Sequence, residues 1–347
     1  MVIESTRPAG SRVEEWPVGK DGDLVVTAGP PSQLSVFEIY DFNSITVEAG
    51  GTLQILAVPE ADLRFPIKAR LGRISEKHAT PQPDTTPIGP TWCIVGVLGD
   101  FSLKGTLEYY GIPYTPGPHN VMAPDGQSLQ KDITLKLGGN GGSNSPWTPG
   151  APTPNGGLQA AGNGGGGAAC GAQGGAACVT AAGNGATSPI SPNNLCGTGG
   201  AGATVQGGSG SQGGDVSSTM EIMSYGGGGG GGMAGRSGGL LYLRVNGNFS
   251  AIGGTMNLSG QNGGAGGRGG NAIRGVPGSG GGGGGGGDGG VVIIYHGGAY
   301  SPGVYQRTNG SGGQGGIGGH NDPDAFSPAG GNGQDGDVGT LTILPSS

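Results

Sequence analysis

The chain has 347 residues, among them 87 glycines and 25 prolines, and a formal net charge of −7. The acidic balance disfavours non-specific nucleic-acid binding, which needs a basic surface. Such a composition is typical of disordered chains, but those are normally highly charged and poor in apolar residues. Here only 11% of the residues are charged and 33% are hydrophobic, which favours a folded protein.

The N-terminal residues, MVIESTRPAG, have neither a basic n-region nor an apolar h-region, so we expect no signal peptide and synthesis in the cytoplasm. No run approaches the 18 apolar residues that a membrane span requires, so no membrane insertion is expected. Runs of β-branched and aromatic residues then predict strands, in DLVVTAG, SVFEIYDFNSITVEAGGTLQILAV and TWCIVGVLGDFSLKGTLEYYG. Helix signals are almost absent, because glycine and proline interrupt nearly every window.

Glycine is unevenly distributed: residues 1–137 hold 14 of the 87, and the rest follow. This boundary near Leu137 predicts three parts. Residues 1–35 are an N-terminal attachment segment, residues 36–137 a strand-rich domain resembling a β-solenoid or a sandwich, and residues 138–347 a glycine-rich region with short strands. The predicted fold class is therefore mainly β, with almost no α-helix.

Two kinds of repeat are visible in the sequence. One repeat unit occurs as LGDFSLKGTLEYYG (98–111), as NGNFSAIGGTMNLSG (246–260) and, more loosely, as YDFNSITVEAGGTLQIL (40–56). In each, a Phe comes before a short stretch of polar and apolar residues, and Gly-Thr comes after it. GGLLYLRV (238–245), GGVVIIYH (289–296) and GTLTILPS (339–346) start 51 and 50 residues apart. Repeats of this kind stack as rungs, since one rung cannot bury its apolar face alone.

A third period is shorter. NGGAGGRGGNA (262–272) and GSGGQGGIGGHN (310–321) place two glycines before each variable residue. The polyproline II helix has three residues per turn and no internal hydrogen bonds, so its backbone groups need partners in neighbouring helices. We therefore predict a bundle of polyglycine II helices in which Gly280–Gly287 is enclosed. Gly330, Gly333, Gly336 and Gly339 would form the buried face of an edge helix. The predicted outward rows are Ala265, Arg268 and Asn271, and Ser311, Gln314, Ile317 and His320.

These glycine runs, with GGGGGGG (226–232) and GGGGGGGGDGGVVIIY (280–295), resemble the glycine-rich adhesins at the tips of bacteriophage tail fibres and related phage tail proteins. The similarity covers about two thirds of the chain and rests on composition. It implies a polyglycine II bundle whose connecting loops contact a receptor on the bacterial surface. The strand-rich N-terminal half departs from it, since it does not match a fibre-docking segment.

No residue pattern predicts catalysis, a cofactor or a metal site. The strings of the form G-x-G-x-x-G lack the βαβ context of a dinucleotide site. GGNGQDGDV (330–338) nearly fits a calcium-binding nonapeptide, but Asp337 occupies its apolar position, so a surface turn is the better interpretation and a single ion site the alternative. A pair of carboxylates that cleaves polysaccharide stays an open alternative, because such pairs assemble in space.

The spacing of the cysteines and histidines does not predict a metal site or a particular disulfide. Cys170 and Cys178 are too far apart for a metal knuckle, and a disulfide between them or buried free thiols are both open. Whether Cys93 or Cys196 pairs is also open. The four histidines show no metal spacing, and they are His78, His119, His296 and His320.

The predicted loops carry aromatic residues among proline, glycine and asparagine, which is typical of recognition surfaces. These loops are 109–126, 143–157, 274–280, 295–310 and 320–331. The alternative is that some of these rings cap the end of the bundle. The receptor-contact candidates are Tyr109, Tyr110, Tyr114, His119, Trp147, Tyr300, Tyr305, His320 and Phe326.

The leading hypothesis is a virion protein of the phage tail fibre or tail tip that binds an outer-membrane protein or polysaccharide of the host. It would be extracellular after lysis and bound to other tail proteins. The runner-up is a structural fibre or decoration subunit without receptor contact. A homotrimer is compatible with a fibre, but no coiled-coil heptad requires it. A surface-matrix or ice-binding role is a remote alternative, and the bulky row of Arg268, Gln314, Ile317 and His320 disfavours ice binding.

Overall fold

The protein is rich in β-structure. The computed structural model describes residues 17–35, 39–56, 92–110, 117–121, 131–135, 195–196, 203, 209–210, 212–215, 224–273, 277–322 and 325–345. Within these ranges there are strands and irregular segments but no α-helix, as the glycine and proline content predicts. Accordingly, the described residues include no helix long and apolar enough to cross a membrane.

The strands are short, mostly two to six residues. In chain order they are β1 (Asp23–Val26), β2 (Ser32–Ser35), β3 (Ile39–Phe42), β4 (Ser44–Val47), β5 (Thr52–Leu56), β6 (Trp92–Val97), β7 (Phe101–Leu103), β8 (Thr106–Tyr110), β9 (Gly117–Val121), β10 (Lys131–Leu135), β11 (Leu195–Cys196), β12 (Ser224–Tyr225), β13 (Leu240–Val245), β14 (Phe249–Ser250), β15 (Thr255–Asn257), β16 (Ala272–Ile273), β17 (Val291–His296), β18 (Tyr300–Ser301), β19 (Val304–Gln306), β20 (His320–Asp322), β21 (Ala325–Phe326) and β22 (Thr340–Pro345).

Fifteen of these strands form three parallel sheets of five strands each. Sheet 1 has the order β22-β17-β13-β6-β3, sheet 2 has β1-β4-β7-β14-β18, and sheet 3 has β19-β15-β8-β5-β2. The chain passes from sheet 1 to sheet 2 to sheet 3 and then starts the next strand of sheet 1. Each such turn is one rung of a parallel β-solenoid, which favours the solenoid over the sandwich among the two expected arrangements.

The repeats found in the sequence are stacked in this solenoid. Phe101 pairs with Phe249, and Thr106 pairs with Thr255, as the alignment of the two strings predicts. The three apolar strings at the longer period are β13, β17 and β22, neighbours in sheet 1. They stack as rungs in one sheet, as the repeat predicts.

The looser third copy was aligned wrongly at its Phe. Phe42 pairs with Val97, and it is Ile45 that pairs with Phe101. The reason is the corner between sheets 1 and 2. Only Asn43 separates β3 from β4, whereas residues 98–100 separate β6 from β7. A Phe at the end of sheet 1 in one rung therefore corresponds to no Phe in the next.

The Gly-Thr signature of the repeats marks the corner between sheets 2 and 3. Gly51, Gly105 and Gly254 each directly precede the first residue of a strand in sheet 3. A Cβ built on Gly105 would overlap the carbonyl oxygen of Gly51, and one on Gly254 would overlap the carbonyl group of Leu103. Glycine is needed here because the backbones of successive rungs approach closely.

Every second residue of the strands faces inward, and these side chains fill the interior of the solenoid. Buried and exposed positions alternate along β5 and β8, as expected for strands with one buried face. Aromatic rings stack through the rungs of sheet 2: the ring centroids of Phe101 and Phe249 are 5.0 Å apart, and those of Phe249 and Tyr300 are 5.3 Å apart.

The boundary in composition near Leu137 does not separate two sets of sheets. Sheet 1 joins β3 and β6, from before this boundary, to β13, β17 and β22, from after it. The predicted attachment segment likewise contributes β1 and β2, the first strands of sheets 2 and 3. Glycine content changes along the chain because glycine-rich segments are inserted between rungs.

These inserted segments run as pairs of arms. Outgoing arms at 258–271 and 307–319 follow sheet 3, and residues 203–215 contain described parts of a third. Returning arms at 226–239, 278–290 and 327–339 lead back into β13, β17 and β22. At the far ends of the arms, β16, β20 and β21 form a small sheet, and β12 lies beside β16.

The arms are held together by backbone hydrogen bonds at steps of three residues. The N–H groups of Gly281, Gly284 and Gly287 donate to one outgoing arm, at Gly267, Gly264 and Gln261. Those of Gly280, Gly283, Gly286 and Gly289 donate to the last returning arm, at Pro328, Gly331, Gln334 and Asp337. All of 277–290 is buried, as expected for the pure glycine run.

Candidate binding surfaces

The nine receptor-contact candidates fall in different environments. Tyr114 and Trp147 lie outside the described residues. Tyr110, His119 and Phe326 are placed in strands β8, β9 and β21, of which the backbone pairing is described. The remaining four, Tyr109, Tyr300, Tyr305 and His320, have described side chains and are taken in turn.

Tyr109 is not a surface residue. Its side chain is 1% exposed and belongs to the solenoid core. A Cβ built on Gly239 would overlap the Tyr109 ring, so the ring lies against the last residues of the first returning arm. The prediction of a receptor contact was wrong for this residue, because its position in β8 points inward whereas its neighbours in sequence suggested a loop.

Tyr300 and Tyr305 form a pair at the last rung of sheets 2 and 3. Their hydroxyl groups share a hydrogen bond of 3.0 Å, and both rings are half-buried against the core. Burial, together with this hydrogen bond, raises the pKa of Tyr305 above its ordinary value. The Tyr300 ring stacks on Phe249, with the His296 ring 5.3 Å away. Both rings therefore pack on the solenoid core and not at the ends of the glycine arms.

His320 lies at the far end of the arms, where successive excursions of the chain meet. Its side chain is exposed, and its backbone N–H donates a hydrogen bond to Oδ1 of Asn271. In the small tip sheet, His320 pairs with Phe326, and Asn321 pairs with Ala272 of the preceding excursion. Two of the predicted candidates are therefore brought together at the tip.

The outward rows predicted from the three-residue period are present. Ser311, Gln314, Ile317 and His320 are exposed, and Ala265, Arg268 and Asn271 are half-exposed. Because the arms at 258–271 and 307–319 are parallel neighbours, the two rows lie side by side on one face.

Side-chain oxygens of Asn and Asp in the arms accept hydrogen bonds from backbone N–H groups of the adjacent arm, a feature that sequence reasoning missed. The N–H of Ser311 donates to Asn262 at 2.9 Å, and the N–H of Gly315 donates to Asn332 at 2.8 Å. Asp335 accepts from Gly312 in the same way. Asn and Asp at the third position of a glycine triplet are the signal that could have identified these contacts.

An aspartate and asparagine ladder at the corner between sheets 1 and 2 was also missed. Asp100 accepts hydrogen bonds from the backbone and side-chain nitrogens of Asn248, and Asn248 accepts from the N–H of Ala299. The aligned strings GDF and GNF contain this signal. The ladder links successive rungs at this corner.

The described side chains include no group of three His, Cys, Asp or Glu placed to hold a metal ion. Cys93 is a buried free thiol, and burial raises its pKa to about 12, so the reactive thiolate is suppressed. Cys170 and Cys178 lie outside the described residues, and Cys196 is placed in β11.

The geometry therefore offers two kinds of surface: the tip where the excursions meet, and the long outer faces of the solenoid and arms. Comparison of the chain with models of protein families, with curated proteins and with solved structures found no match in any of the three.

Proposed function

We propose that the arms are polyglycine II helices and that the protein is an adhesin of a phage tail fibre or tail tip, which binds the bacterial surface through the loops at the ends of the arms. The three-residue step of the hydrogen bonds supports the helix type, since polyproline II has three residues per turn. At a rise of about 3.1 Å per residue, a 13-residue arm holds its loop about 40 Å from the solenoid.

One observation carries the function: loops far apart in sequence meet at one place. β16 follows the outgoing arm at 258–271 and β20 the one at 307–319, and their backbones pair, Ala272 with Asn321 and Ile273 with Asp322. A rigid scaffold that gathers loops at one end is the usual basis of a recognition surface. His320 is exposed at this place, and its strand pairs with β21, which contains Phe326.

The buried glycines explain why the scaffold is rigid. The arm at 278–290 forms backbone hydrogen bonds with neighbouring arms on several sides. The tip therefore cannot move without breaking many hydrogen bonds. Preorganised loops lose less conformational entropy on binding, which raises affinity.

The test is a cell-binding assay with fluorescently labelled protein and the bacterium that the source phage infects. We expect saturable binding that blocks phage adsorption, and its loss in a tip variant with Ala at His320, Asn321 and Asp322. The matched control is Ile252→Ser, because Ile252 is 66% exposed at a solenoid corner.

Two outcomes would contradict the adhesin. One is no binding by wild-type protein whose unfolding transition shows that it is folded, and the other is a tip variant that binds as the wild type does. The first would favour the alternative, a structural fibre or decoration subunit that uses the glycine arms only as a rigid body.

A further inference from the structure

The three outer faces of the solenoid have different chemistry. The outer face of sheet 1 is apolar and buried, with Tyr242 4% and Ile293 1% exposed. The outer face of sheet 2 carries a column of small hydroxyl side chains, all half-exposed: Thr46, Ser102, Ser250 and Ser301. The outer face of sheet 3 carries a column of long polar side chains, whereas on sheet 1 Arg244 lies among apolar residues.

The polar column of sheet 3 crosses all five rungs. The strand registers place one amide or carboxyl side chain per rung at the same position, and alternating burial places each on the outer face. Its members are Gln33, Gln54, Glu108, Asn257 and Gln306. Neighbouring strands lie about 4.8 Å apart, so the column is a straight row of hydrogen-bonding groups about 20 Å long.

The contacts within this column leave hydrogen-bonding capacity unused. Gln33 donates to Gln54, and Gln54 donates to Glu108, each over 3.4 Å, which is long for a hydrogen bond. Asn257 uses its oxygen for the N–H of Ser259, so its amide nitrogen stays a donor. An amide has two N–H donors and an accepting oxygen, so each rung presents donors and acceptors outward.

A second column runs beside the first, two residues earlier in β5, β8, β15 and β19. Thr52, Thr106 and Thr255 are paired in register, and Val304 continues the column. Their methyl groups give a low apolar strip beside the polar row. A face with an apolar strip next to a row of amides matches a sugar ring, which has apolar C–H groups and equatorial hydroxyl groups.

The charge of the face limits its ligand. Glu108 is the only ionisable residue in the two columns, and neither column contains Lys or Arg. An anionic polymer would meet repulsion at Glu108 and no compensating cation, whereas a neutral polymer rich in hydroxyl groups would not. The regular spacing of the rungs, close to the length of one pyranose unit, favours a linear polymer that lies along the column.

We propose that the outer face of sheet 3 is a binding surface for an extended, neutral, equatorially linked hexose polysaccharide. The chain lies across the rungs, with one ring per rung. Amides of Gln54, Asn257 and Gln306 hydrogen-bond its hydroxyl groups, and the threonine column contacts its C–H groups. This surface is separate from the tip and does not rest on the proposed adhesin function.

The length of the ligand provides a sharp test. Isothermal titration calorimetry with cello-oligosaccharides of two to six rings would follow affinity against ring number. We expect affinity to rise at least tenfold between cellobiose and cellopentaose and to level off at five or six rings, because the column has five rungs. Carboxymethyl cellulose, which has the same backbone with anionic groups, is expected to bind at least tenfold more weakly than the neutral chain.

Matched variants locate the surface. The first variant carries both Gln54→Ala and Asn257→Ala. It is expected to bind cellohexaose at least tenfold more weakly than the wild type, because each substitution removes hydrogen bonds at one rung. A second variant, Asn257→Ala with Gln306→Ala, covers the case in which Gln54 is needed for folding. The control is Thr46→Ala with Ser250→Ala, which alters the equivalent column of sheet 2.

The proposal is overturned if cellohexaose does not bind folded wild-type protein, if affinity is independent of ring number, or if the sheet 3 and sheet 2 variants lose affinity equally. Loss of binding in the tip variant with Ala at His320, Asn321 and Asp322 would also overturn it, since that result would place the sugar at the tip. Failure of the adhesin test leaves these measurements unaffected, because no cell is used in them.

Discussion

The solenoid and the glycine arms bury different parts of the same chain. In the solenoid the buried groups are side chains such as Phe101 and Leu243, and the backbone lies at the surface of the core. In the arms the buried groups are the backbone itself, as at Gly284. The first region is stabilised mainly by apolar burial, and the second by hydrogen bonds between segments.

This difference decides which residues each region tolerates. A solenoid position needs a side chain of the right volume, so truncation leaves a cavity. An arm position needs no side chain, so addition of a single methyl group causes overlap. The two regions should therefore respond to opposite kinds of substitution.

The largest expected effect is a truncation in the solenoid. Phe249 is fully buried between the rings of Phe101 and Tyr300. Phe249→Ala should lower the free energy of unfolding by about 4 kcal/mol, through lost apolar contact and the cavity left behind. Urea denaturation would measure it, with exposed Ile252→Ala as the control. A loss below about 1 kcal/mol would contradict the assigned core.

The next effect is an addition in the arms. A Cβ at Gly284 would overlap the carbonyl group of Met233, which is backbone and cannot rotate away. Gly284→Ala should lower the free energy of unfolding by about 3 kcal/mol, near the upper end of the usual cost of overpacking. Gln314→Ala, in an outward row, should change it by less than about 0.5 kcal/mol. Equal effects of the two substitutions would rule out the enclosed arm.

The smallest expected effect concerns the side chains that join the exposed arms. Asn332→Ala removes the acceptor for the N–H of Gly315 and should lower the free energy of unfolding by about 1 kcal/mol. Asn332→Asp keeps an oxygen at the same place, as Asp335 does for Gly312, and should cost less. The same denaturation experiment compares both, and a larger loss for Asp than for Ala would contradict this assignment.

Much of the strand framework could be predicted from the sequence, because stacked rungs repeat their residues. Phe101 and Phe249 were aligned correctly, and so were the threonines that follow the corner glycines. The three-residue period also identified the exposed row from Ser311 to His320 and the enclosed glycine run. In each case one local pattern is enough to decide which side of the segment is buried.

The rest depends on where the chain turns, which the sequence does not encode in one pattern. The shift at Phe42 arises because one corner has a single residue and the next has three. Tyr109 was assigned to a loop because glycine and proline follow it, yet it occupies an inward position of a strand. The pairing of Ala272 with Asn321 at the tip depends on the two outgoing arms having matched lengths. The polar column of sheet 3 is visible only once the rungs are in register.

The hydrogen bonds between arms recur at every third residue, so the direction in which each residue faces depends on its place within a repeat of three. Gly310, Gly313 and Gly316 donate to one returning arm, and the residues between them face elsewhere. One inserted residue would shift all later positions by one place in this three-residue step, and would carry Gln314 and Ile317 to places now held by glycines. Insertions of three residues, matched in the partner arm, would preserve every contact. Arm length should therefore change in paired triplets.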